Sequence, residues 1–149
     1  YVAAGIGQII ATRSSISGAA GGCQAEIGSA SSMAAGALTY LQGGNCEQIA
    51  TSAAMAMKNL LGLVCDPVAG LVEVPCVKRN VIGTVNAMAC ADMAMAGIVS
   101  RIPPDQVMDA MKEVGDKMDA SLRETALGGL AQTDEGMKIA EKMHASYEN

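Results

Sequence analysis

Half of this chain is apolar, yet it contains no phenylalanine, no tryptophan and only three tyrosines. Its core has to be assembled from alanine, methionine and aliphatic side chains, with 17 glycines and 11 methionines in the chain. Small side chains let backbones approach closely, which suits helix crossings. Val, Ile and Thr are too scattered, and Ala and Met too common, for a sheet. An all-α domain is expected: a bundle of about six helices with long Gly- and Pro-containing loops that carry cysteines. The 149 residues suggest one domain or part of one.

The net charge of −5 and the pI near 4.7 argue against a nucleic-acid partner, which needs a clustered basic face. The aromatic platforms of single-strand binders are missing as well. Lys, Arg, Asp and Glu number nine in the first 100 residues and sixteen in the last 49. The early part reads as interior and the end as solvated surface. The longest uncharged run, Ile27 to Cys46, is broken by Gly28, Ser29, Ser31, Ser32 and Gly36, then by Gln42 and Asn45. A spanning helix needs about 20 mostly strongly apolar residues, so no membrane segment is expected. No basic stretch precedes an apolar one as in a signal peptide. The start at Tyr1, inside an apolar run, reads as a piece of a longer polypeptide. The five cysteines are odd in number and come without an export signal. Reduced thiols in a cytoplasmic protein are the expectation.

The first helix is expected over Val2 to Arg13, followed by a non-helical loop at Ser15 to Gly22. A second runs from Gln24 to Leu41 and stops at Gly43-Gly44. Asn45 caps a third, with Gln48 three residues on in a capping-box arrangement, and this helix runs to about Leu61. Gly62 to Cys76 holds Asp66-Pro67, Gly70 and Pro75 among valines and leucines. It reads as a buried, extended loop and, because buried backbone needs partners, as a candidate site. The fourth helix spans about Val77 to Val99, with Gly83, Ala87, Cys90, Ala94 and Gly97 forming a stripe for tight crossing. Ile102-Pro103-Pro104 breaks the chain before a fifth helix, Asp105 to Met118. Ser121 and Glu124 suggest a capping box opening a short helix before Gly128-Gly129. The last helix starts at Thr133 or Asp134 and ends near His144.

Cys23, Cys65 and Cys76 fall at loop positions beside helix ends, 42 and 11 residues apart. That is neither a CxxC zinc pattern nor the tight run of bacterial ferredoxins. On spacing alone, metal ligation and small buried thiols both stand. Cys46, in a first helical turn, and Cys90, on the small-residue stripe, read as packing. Lys78-Arg79-Asn80 opens the fourth helix, where two cations oppose the helix dipole. They form either a surface charge pair or, with free backbone N–H groups, an anion site. The single His144 is expected to be exposed and is not a candidate base. No Ser/His/Asp arrangement, Walker loop or Rossmann fingerprint is present.

Three stretches carry a resemblance: Ser-Ile-Ser-Gly-Ala at 15–19, Gly-Cys-Gln-Ala-Glu-Ile-Gly-Ser-Ala at 22–30, and Cys-Asp-Pro-Val-Ala-Gly-Leu-Val-Glu-Val-Pro-Cys-Val-Lys-Arg-Asn at 65–80. They resemble the iron–sulfur-dependent L-serine dehydratases. Arg123-Glu124-Thr125 with Gly128-Gly129-Leu130-Ala131 is similar to that family too, and the likeness covers essentially the whole chain. It implies an all-helical, PLP-independent alpha domain with a 4Fe–4S cluster. Cys23, Cys65 and Cys76 fall on the family's cluster cysteines. They would hold three irons and leave the fourth open as a Lewis acid for the serine hydroxyl. The implied reaction removes the Cα proton and water, and the resulting enamine tautomerises and hydrolyses to pyruvate and ammonia. For the substrate carboxylate the resemblance points to Ser17, Gly18, Arg79 and Asn80.

The resemblance also implies partners: L-serine, a beta subunit or beta domain, and a homo- or hetero-oligomer. Some members end in a cysteine tail that occupies the open iron, whereas Ser146-Tyr147-Glu148-Asn149 has none. The family's upstream Gly/Ser-rich substrate loop has no counterpart in this sequence. The chain is therefore expected to be the C-terminal portion of an alpha domain, residues 1–149, with its catalytic base elsewhere. An apolar surface should be exposed where the missing segments dock. The competing reading is a non-catalytic helical interaction module with packing cysteines or a structural zinc site.

Overall fold

The computed structural model describes residues 1–147, so Glu148 and Asn149 of the cysteine-free ending lie outside the described residues. It contains seven α-helices: α1 (Val2–Arg13), α2 (Gly18–Gly21), α3 (Ser29–Leu41), α4 (Cys46–Lys58), α5 (Cys76–Met95), α6 (Pro104–Lys117) and α7 (Asp134–Tyr147). A π-helical turn, Gln24–Gly28, runs directly into α3. No strand occurs among the described residues, so the all-α expectation holds. No helix among them is long and apolar enough to cross a membrane.

α3 is the central helix and packs against α1, α4 and α5. One core cluster joins α1, α4 and α6 through Ile10, Ala54, Met57, Val107, Met108 and Met111. A second joins α3, α4 and α5 through Ala35, Met55, Ala56, Ala87, Cys90 and Ala94. The small residues are what bring these axes together. A Cβ at Gly83 would lie 2.7 Å from Ile27 Cγ2, and one at Gly36 would overlap Ile6. Such close approach also brings polar groups within reach of neighbouring backbones. Ser32 donates to the Ala53 carbonyl at 2.9 Å and Ser31 to the Gly83 carbonyl at 2.7 Å. These two buried hydroxyls are thereby satisfied between helices.

The capping box at α4 is present in full. The Asn45 side chain accepts from the Gln48 N–H at 2.9 Å, and Gln48 Oε1 accepts from the Asn45 N–H at 3.0 Å.

Several expectations need correction. The loop at Ser15 to Gly22 contains one helical turn, α2. It forms because α6 lies close above it: a Cβ on Gly115 would be 3.0 Å from the Gly21 Cα. α5 stops at Met95, not Val99. Gly97 takes φ +87°, its N–H reaches the Ala94 carbonyl, and the Ile98 N–H reaches that of Met93. This is the Schellman pairing, so Gly97 ends the helix instead of continuing its stripe. Ser121 and Glu124 form no capping box. Asp119 caps a 3₁₀ turn, Ala120–Leu122, by accepting from the Ser121 N–H at 2.8 Å. The loop before α5 is buried only at Cys65–Val68; Val72 and Glu73 are exposed.

Candidate metal centre

Three separate segments converge at the N-terminal end of α5. Cys23 precedes the π-helical turn, Cys65 sits in the loop after α4, and Cys76 is the first residue of α5. Their three sulfurs all lie within 4.8 Å of one another. Cys23 and Cys65 are buried, at 0% and 2% exposure, and Cys76 is half-buried. Cys90 belongs to the core cluster of α3, α4 and α5, and Cys46 is exposed. The structure thus gathers the three cysteines singled out from the sequence and leaves the other two apart.

The Cys23 and Cys65 segments are each held by their own set of hydrogen bonds. Next to Cys23, the Gln24 N–H donates to the Leu63 carbonyl at 2.9 Å. The buried Gln24 amide donates to the Met111 carbonyl at 3.0 Å and accepts from the Gly62 N–H at 2.9 Å. Gln24 therefore ties the Cys23 segment to α6 and to the chain leading into Cys65. Cys65 is clamped from the far end of the sequence. Its N–H donates to the Leu122 carbonyl, and its carbonyl accepts from the Glu124 N–H, both at 2.8 Å. Glu124 adopts a left-handed conformation, φ 66°, to make that bond.

Asp66, beside Cys65, has a side chain only 4% exposed. Its Oδ1 accepts from Arg79 Nη1 at 2.7 Å and its Oδ2 from the Leu130 N–H at 2.9 Å. Gly129, at φ +59°, lies against this carboxylate, and a Cβ there would come within 2.7 Å of the Asp66 Cβ. Arg79 Nη1 also donates to the Val64 carbonyl at 2.8 Å and lies 3.8 Å from Cys23 Sγ.

The Cys65 and Cys76 thiols resist deprotonation. Burial pushes the Cys65 thiol well above its ordinary value, and the neighbouring Cys23 sulfur adds to the rise. Burial likewise raises Cys76, with Cys23 adding and Arg79 opposing. A metal taken up here has to displace protons. Three sulfur donors suit a soft metal or an iron–sulfur cluster better than a hard cation. A closed structural zinc site takes four protein ligands, and among the described residues only these three group together.

Cys65 and Cys76 border a cleft of about 490 Å³ that is also lined by Glu26, Asn80 and Glu124, whereas the fully buried Cys23 does not line it. Of the residues suggested for the substrate carboxylate, Asn80 stands in this wall. Ser17 is exposed beside Ile16, which also lines the cleft. Gly18 is buried, and a Cβ there would meet the Glu26 carboxylate at 2.9 Å. Arg79 is turned to Asp66, Val64 and Cys23. His144 is exposed on α7 and does not line the cleft.

Sequence reasoning missed Asp66, Gln24, Glu26 and Glu124. Asp66 had one signal: a carboxylate in an otherwise apolar stretch needs a partner. Glu26 and Glu124 had none, since only the fold carries them to the cleft.

Fold and site together define an all-helical protein with a three-thiol site suited to a soft metal. The sequence profile of the serine dehydratase alpha chain family matches residues 1–131. The chain is 59% identical over 143 residues to the probable L-serine dehydratase alpha chain of Bacillus subtilis, covering 96% of this chain and 48% of that protein. It is 58% identical over 139 residues to the counterpart in Latilactobacillus sakei, covering 93% of this chain and 66% of that one. Against L-serine dehydratase 1 of Escherichia coli it is 48% identical over 133 residues, 88% of this chain and 29% of that protein. The chain belongs to the serine dehydratase alpha chain family. It spans about half the length of the Bacillus subtilis relative.

Proposed function

We propose that this chain is the cluster-carrying, C-terminal portion of an L-serine dehydratase alpha domain, and that the complete protein converts L-serine to pyruvate and ammonia without PLP. The observation that carries this reading is the convergence of Cys23, Cys65 and Cys76, with all three sulfurs within 4.8 Å, in a chain of this family. A packing role would not require three distant segments to bring their thiols to one point beside a cleft. In this reading the three thiolates hold a 4Fe–4S cluster. Such a cluster, bound by three cysteines, keeps one iron free of protein ligands and so supplies a Lewis acid for the serine hydroxyl.

The chain's own residues do the rest of the holding. The positive end of α5 lies at Cys76 and, like Arg79, opposes the upward push that burial gives this thiol. The wall at Asn80 and the edge at Ser17 and Gly18 are assigned to the substrate carboxylate. Glu26 and Glu124 line the same cleft, where a carboxylate can pair with the substrate ammonium. The base that takes the Cα proton is assigned outside this chain, to the remainder of the alpha part or to a beta subunit or domain. A reducing, cytoplasmic setting suits a cluster with an open iron. The partners of this reading are L-serine, the beta part and further copies in a homo- or hetero-oligomer.

The test uses the complete protein under anaerobic conditions. It is expected to release pyruvate from L-serine without added PLP, to lose activity in air, and to recover with iron and sulfide. Full turnover by a metal-free preparation would refute the reading.

A further inference from the structure

We propose that Arg79 is a positioning residue that locks the three cysteine segments into one site, and that Asp66 is its counter-ion. This rests on the reading of Cys23, Cys65 and Cys76 as cluster ligands. Arg79 lies on the first turn of α5, the helix that Cys76 opens. Its Nη1 reaches the sulfur of Cys23 at 3.8 Å. The same nitrogen reaches both flanks of Cys65: the Val64 carbonyl at 2.8 Å and Asp66 Oδ1 at 2.7 Å. One guanidinium nitrogen, carried by the Cys76 helix, thus touches the Cys23 sulfur and brackets Cys65.

The placement is informative because it runs against local preference. A cation in the first turn of a 20-residue helix opposes the helix dipole. Here it is held by a buried carboxylate: the Arg79 side chain is 15% exposed and that of Asp66 is 4% exposed. A buried pair of this kind is costly to break from one side. Asp66 passes the constraint on, since its other oxygen accepts from the Leu130 N–H at 2.9 Å. The rigid, planar guanidinium fixes where Nη1 sits relative to these acceptors; a lysine ammonium on a flexible stem cannot hold the same position. Groups that orient metal ligands in this manner tune the metal as well as retain it. The N–H aimed at the Cys23 sulfur stabilises negative charge there, so its loss makes the bound group harder to reduce.

The test compares the full-length protein with its Arg79→Gln, Arg79→Lys and Asp66→Asn variants after anaerobic reconstitution. Far-UV circular dichroism checks that the helices are intact. Arg79→Gln is expected to keep less than half of the wild-type iron and sulfide through gel filtration, and to shift the midpoint potential of what remains to lower values. Arg79→Lys should recover little of either, and Asp66→Asn should fall between wild type and Arg79→Gln. The KM for L-serine, measured on the residual cluster-bearing fraction, should stay within twofold. Wild-type iron retention and potential in Arg79→Gln, with KM raised tenfold or more, would make Arg79 a substrate ligand and overturn the proposal. If the wild type itself takes up no iron, the cluster reading fails, and the metal-free protein judges Arg79 separately. Arg79→Gln should then speed alkylation of Cys23 and Cys65 at least fivefold while leaving Cys90 unchanged. Equal rates would overturn it.

Discussion

At the scale of single residues, five chemically identical thiols have been sorted by their surroundings. Cys90 is fully buried among the small side chains of α3, α4 and α5, so it is a packing residue. Replacing it with alanine removes one sulfur from a tight crossing and is expected to cost about 1 kcal/mol of unfolding free energy. Iron content should not change, and denaturant melts with iron assays on the same samples check both. Gly129 sits at the other extreme. Its left-handed backbone disfavours a side chain, and an added Cβ would meet the Asp66 carboxylate. Gly129→Ala is expected to destabilise the fold by about 2 kcal/mol and to weaken cluster retention, since Asp66 must move away from Arg79. A variant that melts like wild type and keeps its iron would show that the Asp66 contact is dispensable.

At the scale of elements, the sequence was readable where local chemistry decides and opaque where distant segments decide. The Asn45–Gln48 capping box and Pro103-Pro104 mark helix ends through their own side chains and rings, and the observed ends of α4 and α6 agree with them to within a residue at their starts. The stripe from Gly83 to Ala94 was legible for the same reason, because helical periodicity alone places it on one face. The turn at Ala120–Leu122 was not, since Ser121 and Glu124 match a capping box locally. Tertiary pairing instead draws the Glu124 N–H to the Cys65 carbonyl, and Asp119 takes over the cap. The three thiols were legible as candidates, but neither their meeting point nor the Asp66–Arg79 pair follows from spacing. The Asp119 cap has a pH signature. Hydrogen bonds from Ser121 hold the Asp119 carboxyl below its ordinary value of 3.8. The contribution of the cap is therefore complete above that pH and fades as pH falls through the lowered value. NMR titration of the Asp119 carboxyl carbon should give a midpoint under 3.8; one at or above it would mean that the cap is absent in solution.

At the scale of the whole molecule, α5 links the site to the surface. Cys76 and Arg79 lie at the thiol site at its start, while Val77, Val81, Val85 and Met88 leave a row of large apolar side chains between 54% and 62% exposed along its outer side. An apolar row of this length favours association. Light scattering on the purified chain at high micromolar concentration should therefore report a dimer or larger species; a stable monomer would argue against it. The central claim is that three thiols in one place hold a cluster, and iron and sulfide counting after anaerobic reconstitution of the chain and its Cys65→Ser variant tests it most directly. The account predicts a brown protein with about four irons and four sulfides per chain, and a variant that binds almost none because only two thiolate anchors remain. A colourless chain whose five cysteines all stay free to react, or one that takes up zinc and no sulfide, would contradict it.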